Sequence, residues 1–213
     1  MSEAAPNCAS CGATLEFPLA CGACGALAAP EREPDPFAVL GLAPQYFVDA
    51  AEVKKRSLRL GRLLHPDYFG AADDATRALA ERNTARLNHA RETLLDACAR
   101  GDWLVRSLGG PSENEQRDMP KAFLLEVLEW NEQLERVRES STRDLAGLES
   151  LRNELDAQRA AALAALGRAL EPLPQPSAPA LREARAQLNV LRYLDNALAQ
   201  IQALELDSPT PHA

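Results

Sequence analysis

Asp49-Ala-Ala-Glu-Val-Lys-Lys-Arg-Ser-Leu-Arg-Leu-Gly-Arg-Leu-Leu-His-Pro-Asp67 reads as one amphipathic helix with a built-in stop. Asp49 suits the N-cap, where a carboxylate accepts the unpaired amides of the first turn. Val53, Ser57, Leu60 and Leu64 recur at spacings of four, three and four, which places them on one helical face. Lys55, Arg59 and Arg62 lie on the other side, so the solvated face is basic. Pro66 lacks an amide hydrogen and clashes with the preceding turn, so the helix ends before it. Tyr68-Phe69-Gly70 is expected in a loop.

Outward from this stretch the chain stays helical. A second helix is predicted from about Asp73 to Ala97, with Leu79, Leu87, Ala90 and Leu94 inward, and a short third segment carries Trp103, Leu104 and Leu108. This block spans 37–110 and closes at Gly109-Gly110-Pro111. Residues 111–213 form a further block of three helices, interrupted by the proline-rich stretch 171–179. The first, 118–139, carries Phe123, Leu124, Leu128 and Leu134. The second, 142–169, carries Leu145, Leu148, Leu151, Leu155, Leu163 and Leu166, with Leu170 just beyond. The third, 180–206, carries Leu181, Ala184, Leu188, Leu191, Leu194, Leu198, Ile201 and Leu204. Three stripes of this length can bury one another as an antiparallel bundle.

Residues 1–29 are different in kind. Cys8-x-x-Cys11 and Cys21-x-x-Cys24 are separated by nine residues, with glycines at 12, 22 and 25 that suit tight turns. Each CxxC can point two sulfurs at one ion, and four thiolates close a tetrahedral Zn²⁺ site with no open position. Such a site is structural. Four thiolates also suit iron, and two redox dithiols are a further alternative. Residues 30–36, Pro-rich and charged, form a linker. Cys98 lies on a helix away from the pairs and reads as a small buried apolar residue.

Composition limits the function. The net charge of −8 is uneven: 37–110 holds 11 basic and 9 acidic groups, whereas both flanks are acidic. No block is a basic nucleic-acid footprint. There is no signal-peptide pattern and no apolar run long enough for a membrane span, so the expected location is the cytoplasm. No nucleophile elbow, phosphate loop or HExxH is present, and His65, His89 and His212 are the three histidines. An enzyme is therefore not expected.

His65-Pro66-Asp67 behind a basic helix, with Asp35-Pro-Phe-Ala-Val-Leu-Gly-Leu42 before it, resembles the J-domain family. That resemblance implies docking on a DnaK-type chaperone through His65, Pro66, Asp67, Lys55, Arg59 and Arg62, with stimulation of the partner's ATPase. Leu58 and Leu63 stand where many J-domains carry basic residues, which implies a restricted partner. The likeness extends to HscB-type J-proteins of iron–sulfur cluster assembly. It is carried by Leu87-Asn-His-Ala-Arg-Glu-Thr-Leu94, Arg100-Gly-Asp-Trp-Leu104, Ala122-Phe-Leu-Leu-Glu-Val-Leu-Glu-Trp-Asn-Glu132 and Leu191-Arg-Tyr-Leu-Asp195. Arg91 departs from a usual aromatic. The four-cysteine module resembles the zinc module found on some members.

The resemblance implies a mainly α fold: a zinc-ribbon-like module, a helical J-domain over 37–110 and a C-terminal three-helix bundle over 111–213. It implies an HscA-like chaperone and an IscU-type scaffold protein as partners. The scaffold would be contacted by Leu124, Leu125, Leu128, Glu129, Glu132 and Tyr193. Leu124 and Leu125 differ by about 100° around a helix, so part of that apolar width is expected to stay exposed; the alternative is a wide stripe packed inside the bundle. A J-protein for a different client, with a dimerising bundle, is the alternative function.

Overall fold

The computed structural model describes residues 7–119, 121–139 and 144–206, with backbone alone at Pro66 and Leu145. His212 and the start of the helix expected from 142 lie outside the described residues. Among those described there are seven helices and no sheet. They are α1 (Pro36–Val39), α2 (Ala50–Leu64), α3 (Asp74–Leu95), α4 (Ala97–Ser107), α5 (Lys121–Glu139), α6 (Leu145–Leu170) and α7 (Pro179–Leu206), plus a 3₁₀ turn at Pro66–Phe69. The chain divides into two compact units, one up to Arg100 and one from Gly101. No described helix is long and apolar enough to cross a membrane.

In the first unit α2 forms as its sequence dictates. The Asp49 carboxylate accepts the Ala51 amide at 2.8 Å, and Val53, Ser57, Leu60 and Leu64 are all buried. The segment after Pro66, expected as a loop, is one tight 3₁₀ turn. Asp73 caps α3 by accepting the Thr76 amide at 2.7 Å. Asp96 closes α3 with its own amide on the Glu92 carbonyl, and its carboxylate accepts the Ala99 amide at 2.6 Å at the start of α4. Leu87, Ala90 and Leu94 point inward, whereas Leu79 is only half-buried and Ala80 and Asn83 take the inward places. The inward pull on Asn83 has a cause: its side-chain amide donates to the carbonyls of Leu19 (2.9 Å) and Ala28 (2.8 Å) in the cysteine module.

The second unit is organised on α7, against which both α5 and α6 pack. This explains why α7 buries more than one seam: Arg185, Asn189, Val190 and Ala197 join its leucines, while Leu198 is half-exposed. The buried Arg185 guanidinium donates to Asp102 (2.6 Å) and to the Pro111 carbonyl (2.9 Å), and Asn189 donates to the Gln116 carbonyl (2.9 Å). Gly109, at φ 73°, and Gly110 close α4. A Cβ on Gly110 would lie 2.7 Å from Val105 Cγ1 and 2.9 Å from Leu181 Cβ, so only glycine fits there.

Candidate functional site

Three surfaces carry chemistry. The first is the end of α2. His65 caps the 3₁₀ turn, its Nδ1 accepting the Asp67 amide at 3.3 Å, and its ring meets Tyr68 edge-on with centroids 6.1 Å apart. His65, Asp67 and Tyr68 are exposed, as are Lys55 and Arg62 along α2. Arg59 is differently placed. Its guanidinium forks onto the Glu16 carboxylate at 3.1 and 2.9 Å and lies 5.4 Å from the Phe17 ring centroid. Part of the basic face is thus already used by the chain itself. Lys55 makes a loose contact with Glu52 at 3.5 Å.

The second surface is the four-sulfur cluster. Two knuckles of the same design build it. The Gly12 amide donates to the Cys8 carbonyl at 2.8 Å, and the Gly25 amide to the Cys21 carbonyl at 2.9 Å. Each turn needs the positive φ of its glycine, 75° and 73°. All four sulfurs lie within 4.8 Å of one another, with Cys8–Cys24 and Cys11–Cys21 at 3.7 Å. A tetrahedral ion with metal–sulfur bonds of ~2.3 Å places its ligands ~3.8 Å apart, so the donor set fits one such metal. A disulfide would need ~2.05 Å. The Cys24 and Ala23 amides favour the Cys21 thiolate and bring it down to about 7. At Cys11 the Ala13 amide acts in the same direction, but the neighbouring sulfurs and desolvation outweigh it and hold the thiol at about 12. Cys98, expected as buried, is half-buried.

The third surface lies on α5. Phe123, Trp130 and Leu134, at spacings of seven and four, face α7. Leu124, Leu125 and Leu128 are turned away and are 42, 63 and 60% exposed. Glu129 and Glu132 lie exposed on the same helix. Tyr193, on α7, is half-buried and edge-on to Phe123 with centroids 6.4 Å apart. Leu124, Leu125 and Leu128 are therefore an exposed apolar patch, as expected for part of that width, and the alternative of a wide stripe packed inside the bundle does not hold, because the aromatic pair Phe123–Trp130 fills the α7-facing side.

Comparison with known proteins bears on these surfaces. Residues 119–202 match the family described as the HSCB C-terminal oligomerisation domain. A co-chaperone protein HscB homolog of Pseudoalteromonas atlantica is 32% identical over 136 residues, 63% of this chain and 77% of that one. The chain belongs to the HscB co-chaperone family. The iron-sulfur cluster co-chaperone protein HscB of Homo sapiens is 32% identical over 134 residues, 61% of this chain and 57% of the human one. The crystal structure of human co-chaperone protein HscB superposes with a TM-score of 0.77 at 26% identity, covering 95% of this chain and all of that one. The HscB fold, mainly helical, is thereby shown for this chain.

Within this HscB fold, two groups had no functional reading in the sequence. Asn83 stands in a mostly apolar inward row four residues before Leu87, a signal that could have been read as a buried amide seeking carbonyls. Arg100 is buried and donates to the Tyr46 carbonyl at 2.6 Å and to the Leu94 carbonyl, with its guanidinium 5.2 Å from the Tyr46 ring centroid. Burial lowers its pKa, and Tyr46 opposes that shift. It ties the segment before α2 to the corner between α3 and α4.

Proposed function

We propose that this protein is an adaptor in iron–sulfur cluster transfer: its α5 patch binds an IscU-type scaffold protein, and its J-domain delivers that scaffold to an HscA-like chaperone of the DnaK type and stimulates the chaperone's ATPase. The observation that carries this is the exposure of Leu124, Leu125 and Leu128 on a helix whose other side is already packed. An exposed apolar patch of this kind needs a partner. Glu129 and Glu132 on the same helix, and Tyr193 beside Phe123, supply polar contacts. At the other surface His65, Pro66 and Asp67 end the basic helix, with Lys55, Arg59 and Arg62 steering an acidic chaperone surface. Cys8, Cys11, Cys21 and Cys24 hold structural zinc.

Affinity capture from lysate tests the proposal. Recovery of an iron–sulfur scaffold, lost when the α5 leucines are replaced, supports it. Recovery of unrelated clients alone sinks it. A second reading is favoured by the description of the matched domain as an oligomerisation domain: the same leucines would close a homodimer. Light scattering on the purified protein separates the two, since a dimer broken by Leu128→Ser belongs only to the second.

A further inference from the structure

Leu58 is the one large apolar side chain of α2 that stands exposed among the described residues, at 61%. Val53, Leu60 and Leu64 are buried and Leu63 is half-buried. Its neighbours on the helix surface are set by the three- and four-residue spacing. Lys54 and Lys55 lie one turn before it and Arg62 one turn after, all exposed; His65 lies two turns on along the same line. Arg59 is drawn aside by Glu16 and Phe17. What remains on the exposed face is one leucine ringed by three cations, leading directly to His65 and Asp67.

We infer that Leu58 is the apolar anchor of the chaperone-docking face and the residue that selects the partner. The inference rests on the proposed role of the J-domain. The partner surface that fits is an acidic patch of a DnaK-type chaperone with an apolar hollow at its centre. Lys54, Lys55 and Arg62 supply steering and a salt-sensitive rim, and Leu58 supplies contact that salt does not screen. Arg59, paired with Glu16 but still more than half exposed, braces the cysteine module and adds its charge only to the edge of this rim. An apolar centre inside a polar rim is the arrangement in which a single truncation weakens binding most.

The test uses the full chain and the purified DnaK-type chaperones of the source organism, each with ATP. Stimulated ATPase is measured against co-chaperone concentration at several salt concentrations. Leu58→Ala is expected to raise the half-saturating concentration about tenfold, with the maximal stimulation and the salt slope unchanged. Leu58→Met, which keeps the apolar volume, is expected to stay within about twofold of wild type. Both substitutions sit on an exposed face and suit a helix, so matching circular dichroism is expected. If Leu58→Ala leaves half-saturation unchanged while His65→Gln abolishes stimulation, the anchor is wrong and the J-domain role stands. If Leu58→Met is as defective as Leu58→Ala, side-chain bulk is not the cause and the anchor is also wrong. If the wild type stimulates no DnaK-type ATPase, the J-domain role fails and the anchor falls with it.

Discussion

Arg59 and Glu16, 43 positions apart, share two hydrogen bonds of 3.1 and 2.9 Å that join α2 to the cysteine module. Both side chains remain about half exposed, so the pair is worth about 1 kcal/mol or less. The buried amide of Asn83, with two carbonyl partners, holds the same module more strongly. Asn83→Ala is expected to lower the unfolding free energy by about 1–3 kcal/mol, because the Ala28 carbonyl loses the side-chain donor and the Leu19 carbonyl keeps only the Ala28 amide. Glu16→Gln should cost less than half of that. Urea denaturation followed by circular dichroism compares them, and the reverse order would show that the ion pair dominates.

Elemental analysis should find about one Zn²⁺ per chain. Cys21→Ser removes a buried ligand and should abolish bound zinc while α2 and α3 keep their helical signal, because those two helices also pack on one another. Stoichiometric iron in the native protein would overturn the assignment of zinc.

His65→Gln is expected to eliminate stimulation of the chaperone ATPase and to leave capture of the scaffold intact, since His65 is exposed at the end of α2 and the α5 patch is a different surface. A steady-state ATPase assay run beside a pull-down reads both activities. Loss of both in a folded variant contradicts this division.

Leu128→Ser places a hydroxyl in the middle of the α5 patch. Affinity for the scaffold should fall about tenfold, as for loss of one well-packed interface contact, with no change in the melting profile because Leu128 is 60% exposed. Titration calorimetry with the purified scaffold checks it; unchanged affinity removes Leu128 from the interface.

Asp73 gives stability a defined acid dependence. The Thr76 hydroxyl and amide bond its carboxylate and hold its pKa below the usual 3.8. A carboxylate with a depressed folded pKa stabilises fully above its unfolded pKa, and that contribution is lost as pH falls through the folded value. Stability should therefore decline on the acid side, below about pH 4. Asp73→Asn keeps an acceptor for the Thr76 amide but cannot titrate, so its acid decline should be shallower. Urea midpoints between neutral pH and pH 2.5 decide, and identical slopes would remove Asp73 as a contributor.

Much of the helical framework was legible in the residues. The stripe at 53, 57, 60 and 64 ends at a proline, and Asp49 caps α2 as a short carboxylate does, whereas the break at Asp96, inside the helix expected from Asp73 to Ala97, was not read. Tyr68-Phe69-Gly70 is expected in a loop, and Tyr68 and Phe69 instead belong to a 3₁₀ turn, because a single such turn leaves no periodicity to read. On α5, spacing showed that Leu124, Leu125 and Leu128 are too wide for one narrow seam but not which of them stay outside. An apolar side chain carries no mark of which side its helix presents, and the aromatic pair at 123 and 130 took the inner side.

The sequence by itself determined most of the helices, the cap at Asp49, the two cysteine knuckles and the basic line leading to His65, because these depend on contacts within a few residues. Tertiary structure alone decided which charges on that line remain free and which leucines on α5 face outward. Arg59 meets Glu16, and Asn83 meets Leu19, only when segments more than forty positions apart are brought together, and local spacing holds no record of such meetings.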